Sequence, residues 1–243
     1  MTQRLNCDLG ESFGPWTLGM DSQVMPYIDE ANIACGFHAG DPVVIKNTLL
    51  LAKRHNVAVG AHPSYPDLAG FGRRSMTMPA TELIASLNYQ IAALVGMAAN
   101  EDLELKHVKP HGALYNDMMK NGQVRSAVMQ AIAESHHPLT LVLQATSNAN
   151  IHRQEASAFG LSIVLEAFID RCYNDDGTLV SRTQSGAIHN REKMLQQVSQ
   201  LVQQKSVTTQ TGKQLSVEAD TLCLHGDNPI AVAEIQHIRH LIR

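Results

Sequence analysis

The sequence predicts one parallel (β/α) barrel domain over residues 1–243, α/β in class. Three observations carry this. Apolar strand-like runs alternate with helix-period segments, which is the pattern of βα units around a parallel sheet. Nearly every run ends in a turn bearing a histidine or a charged residue. In a parallel barrel those ends share one rim, and that rim is where such folds carry chemistry. The length, 243 residues, suits one large domain whose core needs no disulfide or metal as a staple.

The elements follow in order. Arg4-Leu5-Asn6-Cys7 leads into Asp8-Leu9-Gly10-Glu11. Ala31 to Cys35 leads into Gly36-Phe37-His38-Ala39-Gly40-Asp41. Asp41-Pro42 then reads as a carboxylate N-cap with Pro at the first helical position, before a stripe of Ile45, Leu49 and Ala52. Val57 to Ala61 ends at His62-Pro63, and Pro79 opens a helix with the stripe Ile84, Leu87, Ile91, Leu94 and Val95. Leu105 to Val108 ends at Lys109-Pro110-His111-Gly112, and the helix after it carries Val124, Val128, Ala131 and Ile132. Leu139 to Leu143 is a further buried strand, followed by a helix that Gly160 closes in the left-handed conformation. Leu161 to Leu165 ends at Glu166, with Asp170-Arg171 just beyond. A helix near 192–204 and a surface hairpin near 207–217 precede Leu222-Cys223-Leu224, which ends at His225-Gly226-Asp227. Asn228-Pro229 caps the last helix.

Seven strands result, near residues 4–8, 31–35, 57–61, 104–109, 139–143, 161–166 and 220–225. That number favours an incomplete or distorted barrel over the eight-stranded ideal. A doubly wound open sheet is the alternative, but it would gather ligands at one switch point instead of using nearly every strand end. The stretches 63–78 and 168–186 are longer than core connections require. Their aromatic and arginine content reads as lids over a ligand.

Composition excludes several classes. The net charge of -4 shows no basic stripe, so nucleic acid is not an expected partner. The start has no apolar signal region, and the most apolar helical stretch, 83–99, reads as too short and too polar for a bilayer. A cytoplasmic, membrane-free protein is expected. The four cysteines, Cys7, Cys35, Cys172 and Cys223, are widely spaced and read as small core residues in a reducing compartment, with Cys172 the least buried.

The candidate catalytic set is Asp8, Glu11, His38, His62, Lys109, His111, Glu166 and His225. His38, His111 and His225 share a grammar: histidine, then glycine at once or one residue later, then a helix start whose free N–H groups suit an anion. Four rim histidines, with His62, are hard to read as isolated core groups. Asp8 and Glu11 suit a general base, a metal ligand or an ion pair with Lys109. Lys109, if buried, either lowers its pKa or clamps an anion. Glu166, at the end of an apolar strand, suits proton transfer or a structural hydrogen bond. Arg73, Asp170, Arg171 and Asp227 form the candidate substrate- or phosphate-binding set through the guanidinium fork. Asp41 reads as a helix cap, and His55, His136, His137, His152, His237 and His240 read as surface residues. No His-Glu-x-x-His pair is present. For a protein-bound divalent metal the expected ligands are Asp8, His38 and His62, converging from adjacent strands.

With those residues in hand, the chain resembles the LamB/YcsF family nearly end to end, from Leu5 to about Leu241. The most specific segments are Asn6-Cys7-Asp8-Leu9-Gly10-Glu11, Ala31 through Pro42, Gly60-Ala61-His62-Pro63, Gly70-Phe71-Gly72-Arg73, His107 through Asn116, Asp170-Arg171 and His225-Gly226-Asp227. Family members often read Phe-Ala-Asp-Arg where this chain has Phe168-Ile169-Asp170-Arg171, a departure that touches no polar candidate. The resemblance implies a distorted TIM-like barrel related to polysaccharide deacetylases. The deacetylase metal triad does not map cleanly, because the paired histidines on one helical turn are missing. It also implies an ATP-dependent 5-oxoprolinase, opening 5-oxo-L-proline to L-glutamate with ATP and Mg²⁺, and two partner subunits, B and C. Two rivals stand beside it: a stand-alone metal-dependent amide hydrolase, and a non-catalytic subunit that binds a lactam or a sugar.

Overall fold

In the computed structural model, which describes residues 3–242, the predicted runs form the seven strands of a closed parallel barrel. Met1, Thr2 and Arg243, the outermost positions of the predicted domain, lie outside the described residues. In chain order the elements are β1 (Arg4–Leu9), α1 (Asp21–Val24), a 3₁₀ turn (Met25–Tyr27), β2 (Glu30–Ala34), α2 (Pro42–His55), β3 (Ala58–His62), α3 (Ala80–Ala99), β4 (Leu105–Val108), α4 (Gly112–Lys120) and α5 (Gly122–Glu134). There follow β5 (Thr140–Gln144), α6 (Ala149–Ala158), β6 (Ile163–Phe168), α7 (Arg191–Gln204), β7 (Ser206–Thr208), β8 (Gln214–Ser216), β9 (Thr221–His225), α8 (Pro229–Ala233) and α9 (Ile235–Ile242). The barrel runs β1-β2-β3-β4-β5-β6-β9, and β9 closes on β1. The hairpin β7-β8 stands apart as a two-stranded antiparallel sheet, as expected from its Gly212 turn.

Helices cover the outside of the barrel and side chains fill the inside, so β2 is buried along its whole length. Register then sets the site. Asp8 pairs with Asn32 on one side and His225 on the other, and Ala34 pairs with His62. The polar strand ends therefore meet at one level. The surrounding core, with Leu5, Leu49, Leu87, Leu94 and Leu114 essentially inaccessible, contributes about 1.5–3 kcal/mol per fully buried aliphatic side chain.

Local chemistry explains the boundaries. The Asp41 carboxylate accepts from Val43 N and Val44 N and caps α2, which ends at Asn56 in the left-handed region. Gly160 is left-handed just past α6. The helix expected after His111 is broken in two. Asn121 leaves helical geometry (φ -121, ψ 111), and its side chain caps α5 by accepting from Gln123 N. The last helix is likewise interrupted at Glu234, between α8 and α9.

Two expectations are corrected. His152 is buried on α6, packed beside the Arg125–Glu155 ion pair. The apolar helix is longer than expected: α3 spans 20 residues with mean hydropathy 1.2, long and apolar enough for a bilayer by length and composition. Its stripe of Leu83, Leu87, Ile91, Leu94 and Ala98 packs into the core, and Gln90 bonds both Ser64 N and Ser64 O at 2.9 Å.

The long connections are ordered by polar pins. Asp67 collects Gly70 N, Arg74 N and the Arg74 guanidinium. After β6, Gln197 Nε2 donates to Phe168 O and Arg171 O at 2.8 Å, and Phe168 N donates to the Tyr173 hydroxyl at 2.8 Å.

Candidate active site

At the bottom of the barrel mouth lies a buried cation between carboxylates. Lys109, 2% exposed, donates to Asp8 Oδ1 at 2.9 Å and faces Glu166 Oε2 at 3.0 Å, with Cys223 Sγ at 3.1 Å. Asn32 Nδ2 also donates to Asp8 Oδ1, at 2.8 Å. Burial alone would discharge Lys109. The Asp8 and Glu166 charges overcome it and push the pKa well above the usual lysine range. Burial likewise works against the Asp8 carboxylate, and the neighbouring His62 and Lys109 hold it well below the usual range. Lys109 is thus a fixed cation, not a lysine tuned to lose its proton.

Beside this pair sits the histidine cluster. His38 Nε2 is 3.2 Å from Glu11 Oε1, His111 Nδ1 is 3.4 Å from the same oxygen, and His62 Nε2 is 4.0 Å from it. His62 Nε2 is also 3.4 Å from Asp8 Oδ2. The His38 and His111 rings stack with centroids 3.7 Å apart. Burial opposes the His62 imidazolium, but Asp8 raises its pKa, whereas burial holds His38 and His111 neutral, well below the usual histidine value. Burial, then the Asp8 charge, pushes Glu11 up to about 7. Gly72 closes over the cluster in a left-handed conformation. A β-carbon there would fall 2.8 Å from His111 and 2.9 Å from His38, so only glycine fits.

On the opposite wall, His225 Nδ1 faces the Asp170 carboxylate at 3.0 and 3.1 Å, and Asn228 donates to Asp170 at 3.1 Å. His225 Nε2 is left 4.0 Å from Asp8 Oδ2. At the mouth, Arg73 and Arg182 share Asp227, at 3.3 and 3.5 Å. The cavity between these walls holds about 340 Å³ and is lined by Asp8, Glu11, His62, Lys109, His111 and His225, with Arg73 and Arg182 at its entrance. That volume suits one small polar ligand.

The whole chain is similar to known proteins. The LamB/YcsF family profile matches residues 3–243. This chain belongs to the LamB/YcsF family. It is 48% identical over 239 residues to the A subunit of 5-oxoprolinase from Pseudomonas fluorescens (strain Pf0-1), covering 98% of this chain and 96% of that one. It is also 48% identical over 239 residues to the protein of the same name from Vibrio cholerae (serotype O1, strain O395), with the same coverage. The crystal structure of the lactam utilization protein from Thermus thermophilus superposes with a TM-score of 0.90 at 39% identity, covering 100% of this chain and 96% of that one. A putative cellobiose-phosphate cleavage protein from Enterococcus faecalis V583 shares the fold alone, with a TM-score of 0.54 at 13% identity.

Within this LamB/YcsF chain the predicted residues divide. Asp8, Glu11, His38, His62, Lys109, His111, Glu166 and His225 converge, but His38 and Glu166 stand behind the cavity wall. Asp170 is buried and positions His225. Arg73 and Asp227 are at the mouth, paired with each other at 3.3 Å. Arg171 is not a free clamp: its guanidinium donates to Val180 O at 2.7 Å and Ala187 O at 3.3 Å, and so holds the loop after β6. Arg74 pairs with Asp67 outside the cavity. For a metal, the donor atoms group as Glu11, His38, His62 and His111, with Asp8 in a second group beside Cys223 and His225. The helix start after His111 is partly engaged, because Ala113 N donates to Gly72 O at 2.8 Å.

The site also contains residues that sequence reasoning does not single out. Arg182 supplies the second mouth guanidinium from the long loop, and its only signal is an arginine within a lid-like connection. Asn6 and Asn32 bracket Asp8 from inside their strands, and the available signal is a polar residue at an inward position of an apolar run. Tyr115, one turn after His111, lines the cavity with its hydroxyl near Glu166. Burial, then the Glu166 charge, pushes that phenol well above its usual range.

Proposed function

We propose that this chain is the A component of an ATP-dependent 5-oxoprolinase that opens 5-oxo-L-proline to L-glutamate in a cytoplasmic complex with two partner subunits, B and C. The observation that supports the reading best is the cavity itself. An arginine pair at the mouth stands above a buried floor of fixed cation, carboxylates and histidines. The relatives' names and the lactam utilization protein point the same way.

The chemistry requires such a site. A five-membered lactam is a poor electrophile. Phosphorylation of its amide oxygen by ATP, with Mg²⁺ on the nucleotide, makes the ring carbon open to water. The adduct then breaks its C–N bond as the ring nitrogen takes a proton. A second water hydrolyses the resulting acyl phosphate to the side-chain carboxylate and phosphate. Negative charge then needs fixed cations, water needs a base, and the ring nitrogen needs an acid. Arg73 and Arg182 suit the substrate carboxylate or the phosphate. Lys109 holds Asp8 ionised and oriented toward His62 and His225, so Asp8 suits orienting those rings and stabilising positive charge on them, and the His225 ring suits proton transfer. Glu166 and Asp170 act through Lys109 and His225. The dense polar lining favours catalysis over simple ligand capture, because binding pockets are mostly apolar.

The test is glutamate release from 5-oxoproline by the purified chain, alone and with candidate partner subunits, with and without ATP. Release that needs both ATP and partners supports the proposal. Failure with every partner, together with ATP-independent, chelator-sensitive cleavage of another amide, would overturn it.

A further inference from the structure

We propose that Glu11, His62 and His111 form a binding site for a divalent transition-metal ion, with its remaining coordination positions open to the cavity. Two backbone carbonyls fix the hydrogen positions on these histidines. His62 Nδ1 lies 2.6 Å from Lys109 O, and His111 Nε2 lies 3.0 Å from Phe71 O. A carbonyl only accepts, so each of these nitrogens carries a hydrogen. The other two nitrogens, His62 Nε2 and His111 Nδ1, face each other across 2.9 Å. One bridging cation, a proton or a metal ion, satisfies both nitrogens at that separation.

The third donor fixes which cation. Glu11 Oε1 is 3.4 Å from His111 Nδ1 and 4.0 Å from His62 Nε2. With the 2.9 Å edge, this triangle has one point about 2.0 Å from all three atoms, the length of a zinc bond to imidazole or carboxylate. Outer ring N–H groups anchored on backbone carbonyls are the usual support of metal-bound histidines, because they fix tautomer and ring plane. Two imidazoles with one carboxylate suit zinc, cobalt, nickel or ferrous iron. Magnesium prefers an all-oxygen shell, which separates this site from the nucleotide's own cation. All three donors line the cavity. His38 bonds Glu11 and stacks on His111 from behind, so it positions both. Asp8, engaged by Lys109 and Asn32, stays outside the triangle.

The site stands on these distances alone and does not depend on the lactam reading. The test uses the full chain, stripped with chelator and titrated with Zn²⁺ by calorimetry and with Co²⁺ by visible absorption. The expected result is one ion per chain, with cobalt bands of low-symmetry nitrogen and oxygen ligation. His62→Ala and His111→Ala should each weaken binding at least about 100-fold, and the surface variant His137→Ala should leave it unchanged. X-ray absorption on the zinc-loaded wild-type chain should show two imidazoles and needs no variant to fold. Overturning results are no binding by the wild-type chain, binding without imidazole scattering, or equal binding by folded His111→Ala. A proton shared between His62 and His111 that persists in saturating zinc would also overturn the site. Loss or retention of 5-oxoproline turnover bears on the proposed reaction and not on this site.

Discussion

His107 occupies the volume that a side chain at Gly60 would need. A β-carbon added at Gly60 would fall 2.2 Å from the imidazole, whose Nε2 is held 2.7 Å from Asn32 Oδ1. The ring cannot retreat without releasing Asn32, which orients Asp8. Gly60→Ala should therefore destabilise the chain by about 1–3 kcal/mol, as overpacking does, and lower activity through Asp8. Urea unfolding and turnover of the same preparation check this. Full stability and full turnover would show that the ring has room to move.

The same histidine predicts an acid response. Burial, then the Lys109 charge, hold the His107 pKa down at about 3 against an ordinary 6.5. The unfolded chain takes up this proton below about pH 6.5, and the folded chain takes it up only near 3. Stability is therefore complete above pH 6.5 and falls as pH drops through that window, by on the order of 5 kcal/mol. His38 and His111, also held neutral by burial, add the same sign. Urea midpoints between pH 7 and 4 should slope this way, and His107→Gln should remove one proton's share of the slope.

Lys109→Met should leave Asp8 and Glu166 buried without their cation. Removal of one partner from such a group costs about 3–5 kcal/mol. A denaturant titration should show that loss, and Lys109→Arg should recover part of it while turnover stays low. A Met variant as stable as the parent would mean that one of the carboxylates is already protonated in the native chain.

Arg182→Ala should raise KM for 5-oxoproline about ten- to hundredfold, the worth of one charge-assisted hydrogen bond, with a smaller change in kcat. The shared Asp227 would then pair with Arg73 alone. Arg171→Ala should act differently, lowering thermal stability because the carbonyls of Val180 and Ala187 lose their donor. Steady-state kinetics and thermal melts on the two variants separate the roles.

Much of the site was legible because a parallel barrel converts one-dimensional periodicity into a common rim. His38, His62, His111 and His225 could be placed together from strand ends alone. What the sequence hides is which atom a long side chain finally meets. Arg171 and Arg182 stand in the same loop with the same chemistry, yet one holds backbone carbonyls and the other faces the cavity. The grouping of candidate metal donors was hidden for a similar reason: Glu11 and Asp8 are three positions apart, and only backbone direction after Gly10 decides which meets the histidines. The break at Asn121 was hidden because its capping bond lies inside an otherwise continuous helical stripe.

The closed barrel also limits how this molecule meets others. Each of its seven strands is hydrogen-bonded on both sides, so the main sheet has no free border for a visiting strand to join. Among the described residues only the small β7-β8 hairpin keeps unpaired outer strands. Companion proteins must therefore recognise helix faces, rim loops or that hairpin. A protein recognised by side-chain shape and charge, instead of backbone zippering, would leave undisturbed the register that aligns Asp8 with His225.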